Sequence, residues 1–595
     1  MKSRYIILAV FIAGAALLAQ PVHAHGFGER TELPVPLGFF LIGAGVTVGL
    51  SFAIIGLFAG GTTGHGSYWR YNLYQHRWLR SVLTSRFLLL PVKLLVVFLF
   101  GLVIATGFFG NQIPSSNFAP TFVWIIWWVG MGFVVALVGN LWTLINPWKI
   151  LFEWAEGLGR LLKPGSHLSL MRPYPENWGI WPALLLFLSF TWIQDAFVQS
   201  PLPNRVAVLT IIYSLITLGG ITIFGKQQWL RHGEAFSVVF SFLAKFAPTE
   251  VRVRDTGLCS TCGGDCLSSN GDCVNCYECF SRSETKELNI RPFAIGLADN
   301  EGKTNDVLAM VVLILATVTF DGFSATQIWV DIQTVAVDIF FGVANGATFN
   351  GRTIADSLGV LLFPVGFFLI YLTFSRFIAV SAERGLNGAD LAKTCTYAII
   401  GVALAYDSVV IIIDVANGAD FGNRRTILGI LLGRTTILEL LLSPVGFFLI
   451  YLTFFRFISE PAESELSAIA IARTFAYSLI PIALAYNIAH FITLLLIQGQ
   501  LIIPLASDPF GFGWDLLGTG DYRINIGIIN AKILWYLSVG LIVAGHIIAV
   551  YLAHLISLRT FQDRSAAISS QYPMLMLMVI YTVVSLWTIA QPIVA

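Results

Sequence analysis

The chain has 595 residues, 56% of them hydrophobic and only 12% charged, with a net charge of +1. Soluble globular proteins carry about 25% charged residues, so this is not a soluble domain, and a balanced charge gives no reason to invoke nucleic acid. Several apolar runs reach the ~20 residues that a lipid-crossing helix needs, which makes the chain an all-α polytopic membrane protein.

The first segment, MKSRYIILAVFIAGAALLAQPVHAHGFGER, is laid out as a secretory signal. Basic Lys2 and Arg4 precede an apolar stretch and then the small-residue site Val22-His23-Ala24. Residues 1–24 are therefore expected to be a cleaved signal peptide, which leaves His25 as the first mature residue. Twelve spans follow, near 36–60, 88–109, 120–144, 179–198, 206–224, 306–322, 357–375, 395–415, 436–455, 474–498, 532–554 and 573–592. They divide the chain into an N-terminal bundle over 25–224, a Cys-rich loop over 225–305 and a C-terminal bundle over 306–595.

Lys and Arg gather in alternate loops, such as YWRYNLYQHRWLRSVLTSR and GKQQWLRHGEAF. The positive-inside rule then places those loops in the cytoplasm of a bacterial cell membrane, with the mature N-terminus periplasmic. The loop LCSTCGGDCLSSNGDCVNCYECF holds six of the seven cysteines: Cys259, Cys262, Cys266, Cys273, Cys276 and Cys279. Cytoplasmic thiols stay reduced, so metal binding is expected in preference to disulfides. Thiolates two residues apart converge on a tetrahedral zinc ion, and Cys273-x2-Cys276-x2-Cys279 also has the spacing of an iron–sulfur run, although no Cys-Pro follows it. Zinc and iron–sulfur both stay open at this point, as does a purely structural role in ordering the loop. With the orientation reversed, disulfides would be the better reading.

The C-terminal bundle contains a tandem repeat over 343–409 and 415–489. PVGFFLIYLTFSRFI from Pro364 recurs as PVGFFLIYLTFFRFI from Pro444, and VANGATFNGRTI from Val343 as VANGADFGNRRTI from Val415. Each copy crosses the bilayer twice, so the copies share one orientation, unlike inverted transporter repeats. Where the first copy has Asp407 and Val410, the second has Asn487 and His490.

Ionisable groups within spans are costly and count as functional candidates by default. Here they are Asp195, Asp321, Asp407, Asp414, His490, His546 and His554. Asp321, His490 and His546 form the candidate catalytic set. Imidazoles with a carboxylate suit a divalent ion that keeps an open position for water. His25 is a further candidate ligand, for copper, through its ring and amine. The opposing reading for each is a hydrogen-bonded packing group. Trp124, Trp127, Trp128, Trp178, Trp181 and Trp192 read as an interfacial belt. In the outer segment from Leu496, Asp508, Trp514, Asp515 and Asp521 either line an entrance or make turns.

HGFGERTELPVPLGFFLIGAG from His25, TFDGFSATQIW from Thr319, PIALAYNIAHF from Pro481, SDPFGFGWDLLGT from Ser507 and AGHIIAVYLAH from Ala544 resemble the bacterial membrane proteins of the fenitrothion hydrolase family. The resemblance implies hydrolysis of organophosphorus triesters with aryl leaving groups and a companion membrane subunit; a small apolar substrate of that kind would partition into the lipid bilayer. It carries over no catalytic residue. Two other classes stand beside it: a redox or metal-handling membrane protein with a cytoplasmic cluster and intramembrane histidine ligands, and a proton-coupled transporter using Asp407 or Asp195. The chain has no phosphate-binding Gly loop, no G-x-S-x-G turn and no H-E-x-x-H helix.

Overall fold

A computed structural model describes residues 36–58, 68–165, 167–260, 273–298, 304–330, scattered positions from 360 to 375, 468–561 and 563–591. Among them are eight helical stretches long and apolar enough to cross a membrane, as an all-α membrane protein requires. Helix α1 spans Leu37–Phe58, α2 Arg86–Phe109 and α3 Phe118–Leu137, the last with wide π-type turns over Thr121–Val129. Next come α4 (Pro147–Leu162), α5 (Trp181–Asp195) and α6 (Pro203–Phe224). Then follow α7 (Ala235–Phe246), α8 (Asn305–Ser324), α9 (Ile480–Ile497), α10 (Ala531–Thr560) and α11 (Arg564–Ala590). The span expected near 179–198 is realised as α5, which at 15 residues falls short of the usual crossing length. Spans expected at 395–415 and 436–455, the signal segment and most of the tandem repeat lie outside the described residues.

The chain forms two compact units that interleave along the sequence: unit 1 is Met1–Gly61, Ala316–Phe475 and Val539–Ala595, and unit 2 is Thr62–Leu315 and Ala476–Ser538. In unit 1, α1 packs along α11. In unit 2, Val103 of α2, Phe118 and Ala119 of α3, Val206 of α6 and Leu505 form one buried cluster. The outward face of α2 leaves Leu94, Leu95 and Phe98 exposed. A contiguous apolar face of this kind belongs against lipid rather than water.

The stretch expected as a loop after Gly225 has a core of its own. Helix α7 buries Phe236, Val239, Phe240 and Phe242 and packs on α3, α5 and α9. Beyond it runs a four-stranded antiparallel sheet, ordered β1-β4-β2-β3, from Tyr71–Asn72 (β1), Thr249–Val253 (β2), Cys273–Val274 (β3) and Lys286–Ile290 (β4). Buried charges stand at both ends of α7, and the one at its C-terminal end, Arg291, ties the helix to the sheet through Glu250. Glu234 caps its first turn, accepting the N–H groups of Phe236 at 3.0 Å and Ser237 at 2.8 Å. At the other end Arg291 donates to the carbonyls of Ala244 at 3.2 Å, Lys245 at 3.1 Å and Ala247 at 3.2 Å. An anion at the start and a cation at the end both suit the helix dipole.

Candidate thiol and intramembrane sites

The sheet positions the cysteines. Cys259 sits near the end of the short helix Thr256–Ser260, Cys273 opens β3, and Cys279 lies in the helix Tyr277–Arg282. Between Cys273 and Cys276 the chain reverses through Asn275 at φ 56, a left-handed conformation that Asn tolerates better than most residues. The Asn275 N–H donates to the Val251 carbonyl at 2.8 Å, which fastens the turn to β2. As a result the sulfurs of Cys259, Cys273 and Cys279 lie within 4.8 Å of one another, all three residues buried. Val253, Leu258, Cys276 and Phe280 pack around them. Such a group of sulfurs fits a soft or borderline metal ion by its donor chemistry.

Cys259 and Cys273 are also joined by a disulfide. Sequence reasoning gave disulfides second place for a cytoplasmic loop, and the structure joins two of the predicted ligands. Cys276, partly buried, and Cys279, buried, stand beside this pair. Cys262 and Cys266 lie outside the described residues, as do His25, Asp407 and Asp414.

The intramembrane candidates are divided between the units. Asp321, in the last turn of α8, and His546, on α10, belong to unit 1; His490, on α9, belongs to unit 2. His490 stacks on Tyr486, the ring centroids 6.0 Å apart. His546 is 1% exposed; its Nδ1 faces the Ile542 carbonyl at 2.7 Å, and its Nε2 is buried without a hydrogen-bond partner. His554 has the same arrangement, with Nδ1 at 2.7 Å from Gln571 Oε1 and a buried, unpartnered Nε2. The Tyr581 hydroxyl, whose ring centroid is 5.8 Å from that of His546, is hydrogen-bonded to Thr319. Asp195 ends α5.

In unit 2, Trp127 and Trp128 face inward as much as outward. Trp127 meets Phe236 at 4.6 Å between centroids and Trp128 meets Phe190 at 4.7 Å, so this part of the expected belt is packing. Trp124, Trp127, Trp142, Trp148 and Tyr213 border a cavity of 490 Å³ with almost wholly apolar walls. In the outer segment the turn reading holds for two acids. Asp508 accepts the N–H groups of Phe512 at 3.0 Å and Gly513 at 2.6 Å, and Asp515 accepts that of Gly520 at 2.8 Å.

Sequence reasoning missed the buried anions. Glu234 also receives the Tyr213 hydroxyl at 2.5 Å. Glu250 receives Tyr68 at 2.5 Å, Arg70 at 2.6 Å and Arg291 at 3.0 Å. The legible signal was Glu234 standing directly before the apolar run AFSVVFSFLAKF, a helix-start pattern. Nothing local marks Glu250, whose partners come from distant segments. No known protein family, curated protein or solved structure matches the chain.

Proposed function

We propose that this is a metal-handling or redox membrane protein whose chemical centre is the thiol cluster. The observation that carries the reading is the convergence of the Cys259, Cys273 and Cys279 sulfurs within 4.8 Å in a buried setting, with Cys276 packed beside them. In this reading the segment faces the cytoplasm, after a cleaved signal and among about twelve spans, and binds zinc or an iron–sulfur cluster in its reduced form. Metal ligation uses thiolates, so the Cys259–Cys273 disulfide is the oxidised form of the same donor set. Reduction by a dithiol adds two electrons and two protons and returns both thiols. The test is metal content with a visible spectrum on protein purified without oxygen and with a thiol reductant. Iron with visible absorption supports an electron port, and colourless zinc supports a metal-ordered segment. Absence of both metals ends the reading.

Hydrolysis of an organophosphorus triester is the second reading. It is favoured by the buried, unpartnered Nε2 of His546, a lone pair suited to a metal that activates water. Asp321, in the same compact unit, is the carboxylate that would complete such a set. Turnover of an aryl phosphorothioate by the wild type that persists in His546→Ala would remove His546 from any such site.

A further inference from the structure

The α10–α11 pair of unit 1 carries a second donor set that the thiol cluster does not involve. Contacts between the helices fix their antiparallel register. His554 meets Gln571, Ser557 Oγ meets Ser570 Oγ at 2.9 Å, and the rings of His546 and Tyr581 approach at the far end. Between Gln571 and Tyr581 on α11 stand Met574 and Met578, which are 2% and 0% exposed. Four residues apart, they share one helix face. Three of the chain's seven methionines fall at 574, 576 and 578, so this is a local concentration of thioethers.

Both imidazoles are held in one tautomer. The partner of His546 Nδ1 is a carbonyl oxygen. The partner of His554 Nδ1 is the oxygen of Gln571, oriented by its own Nε2 donating to the Ala567 carbonyl at 2.7 Å. Each Nδ1 therefore carries the proton, and each Nε2 presents a bare lone pair. Metal-ligating histidines are fixed in this way, by donating the other ring N–H to an oxygen. A proton relay fits less well, because amide oxygens do not accept the proton that Nδ1 would have to pass on. The two histidines are eight residues apart, about 12 Å along the axis, so they do not share one ion. Side chains on a helix lean toward its N-terminus, which carries His554 toward the level of Met574 and Met578.

Among the described residues around this pair, charge favours a monovalent ion. Helix α1 has no acidic residue, α10 and α11 have none, and the nearest in sequence is Asp563 at the N-cap of α11. Asp321 is the described carboxylate of unit 1 on α8. A divalent ion held by thioethers and imidazole alone would keep its full charge, which is costly at a buried position. Thioether and imidazole ligands select monovalent copper.

We propose that α10 and α11 form a Cu(I) site, with the Met574 and Met578 thioethers and His554 Nε2 as ligands and His546 as the next donor along the axis. The test uses the full-length chain in detergent, its thiols treated with N-ethylmaleimide, titrated anaerobically with Cu(I) against a chromogenic chelator. The wild type should hold one more equivalent than Met574→Leu/Met578→Leu, a swap that nearly conserves volume. His554→Gln should weaken that equivalent about tenfold or more. Selenomethionine-labelled protein gives a reading that needs no variant, since copper X-ray absorption should show selenium beside nitrogen in the first shell. Equal stoichiometry and affinity in the variants overturns the proposal. So does copper with no selenium neighbour, because that copper has no thioether ligand. Iron or zinc at the thiol cluster is read separately, so either site can fail alone.

Discussion

Glu250 shows how one buried anion organises the sheet. Its carboxylate is wholly buried between Arg70 and Arg291, and Arg291 is itself only 1% exposed in its side chain. Removing one partner of a buried pair strands the other, at about 3–5 kcal/mol. Glu250→Ala should therefore lower the thermal midpoint in detergent and open 249–290 to protease, while Arg70→Ala, at a partly exposed position, should do far less. Tyr68 adds a pH signature. Burial first, and the Glu250 charge second, push its phenol up from 10.0 to about 12. Because the folded state favours the neutral phenol, its contribution is full below pH 10 and is lost as pH climbs through 12. Midpoints followed across that window should fall more steeply in the wild type than in Tyr68→Phe. Parallel curves would show that the Tyr68–Glu250 bond does not set the alkaline limit.

At the scale of elements, α7 shows where sequence reading stopped. Twelve residues are too few for a lipid-crossing window, and the basic flank GKQQWLRHGEAF pointed to an inner loop. Yet the run is apolar on most sides, with Ser237, Ser241 and Lys245 as a narrow outer stripe, the pattern of a mostly buried helix. Glu234→Ala removes its N-cap and strands the Tyr213 hydroxyl and the Asn146 amide that face the carboxylate. Cap loss at about 1 kcal/mol and unsatisfied buried groups at about 1–3 kcal/mol should combine to a clear drop in melting temperature. Glu234→Gln, which can still accept at the cap, should recover part of it. The sheet was illegible for a different reason. β1 and β3 have two residues each, too short for any alternation, and β1 finds its partner Ile290 across most of the chain's first half. The cysteine grouping was legible because the Cys-x2-Cys spacing fixes a turn locally; the pairing of Cys259 with Cys273 was not, because β2 and β3 create it.

At the scale of the whole molecule, the eight spans among the described residues were readable because lipid imposes a length and a composition that packing cannot relax. His546 and Asp321 fall in one compact unit and His490 in the other, a division that packing decides and that no local pattern in the sequence shows. Sidedness decides what the cysteines do. A cytoplasmic segment should hold Cys259 and Cys273 as thiols or thiolates in the living cell, and join them only after exposure to oxidant. Cells quenched directly in acid, denatured and alkylated should therefore yield both residues fully modified in peptide mass spectra. Membranes left in air and treated alike should yield the linked pair instead. If the acid-quenched cells already contain the disulfide, the segment faces the oxidising side. The basic loops would then have to be outside as well, the metal reading would lose its thiolates, and the cluster would be a staple holding the Thr256–Ser260 helix to β3.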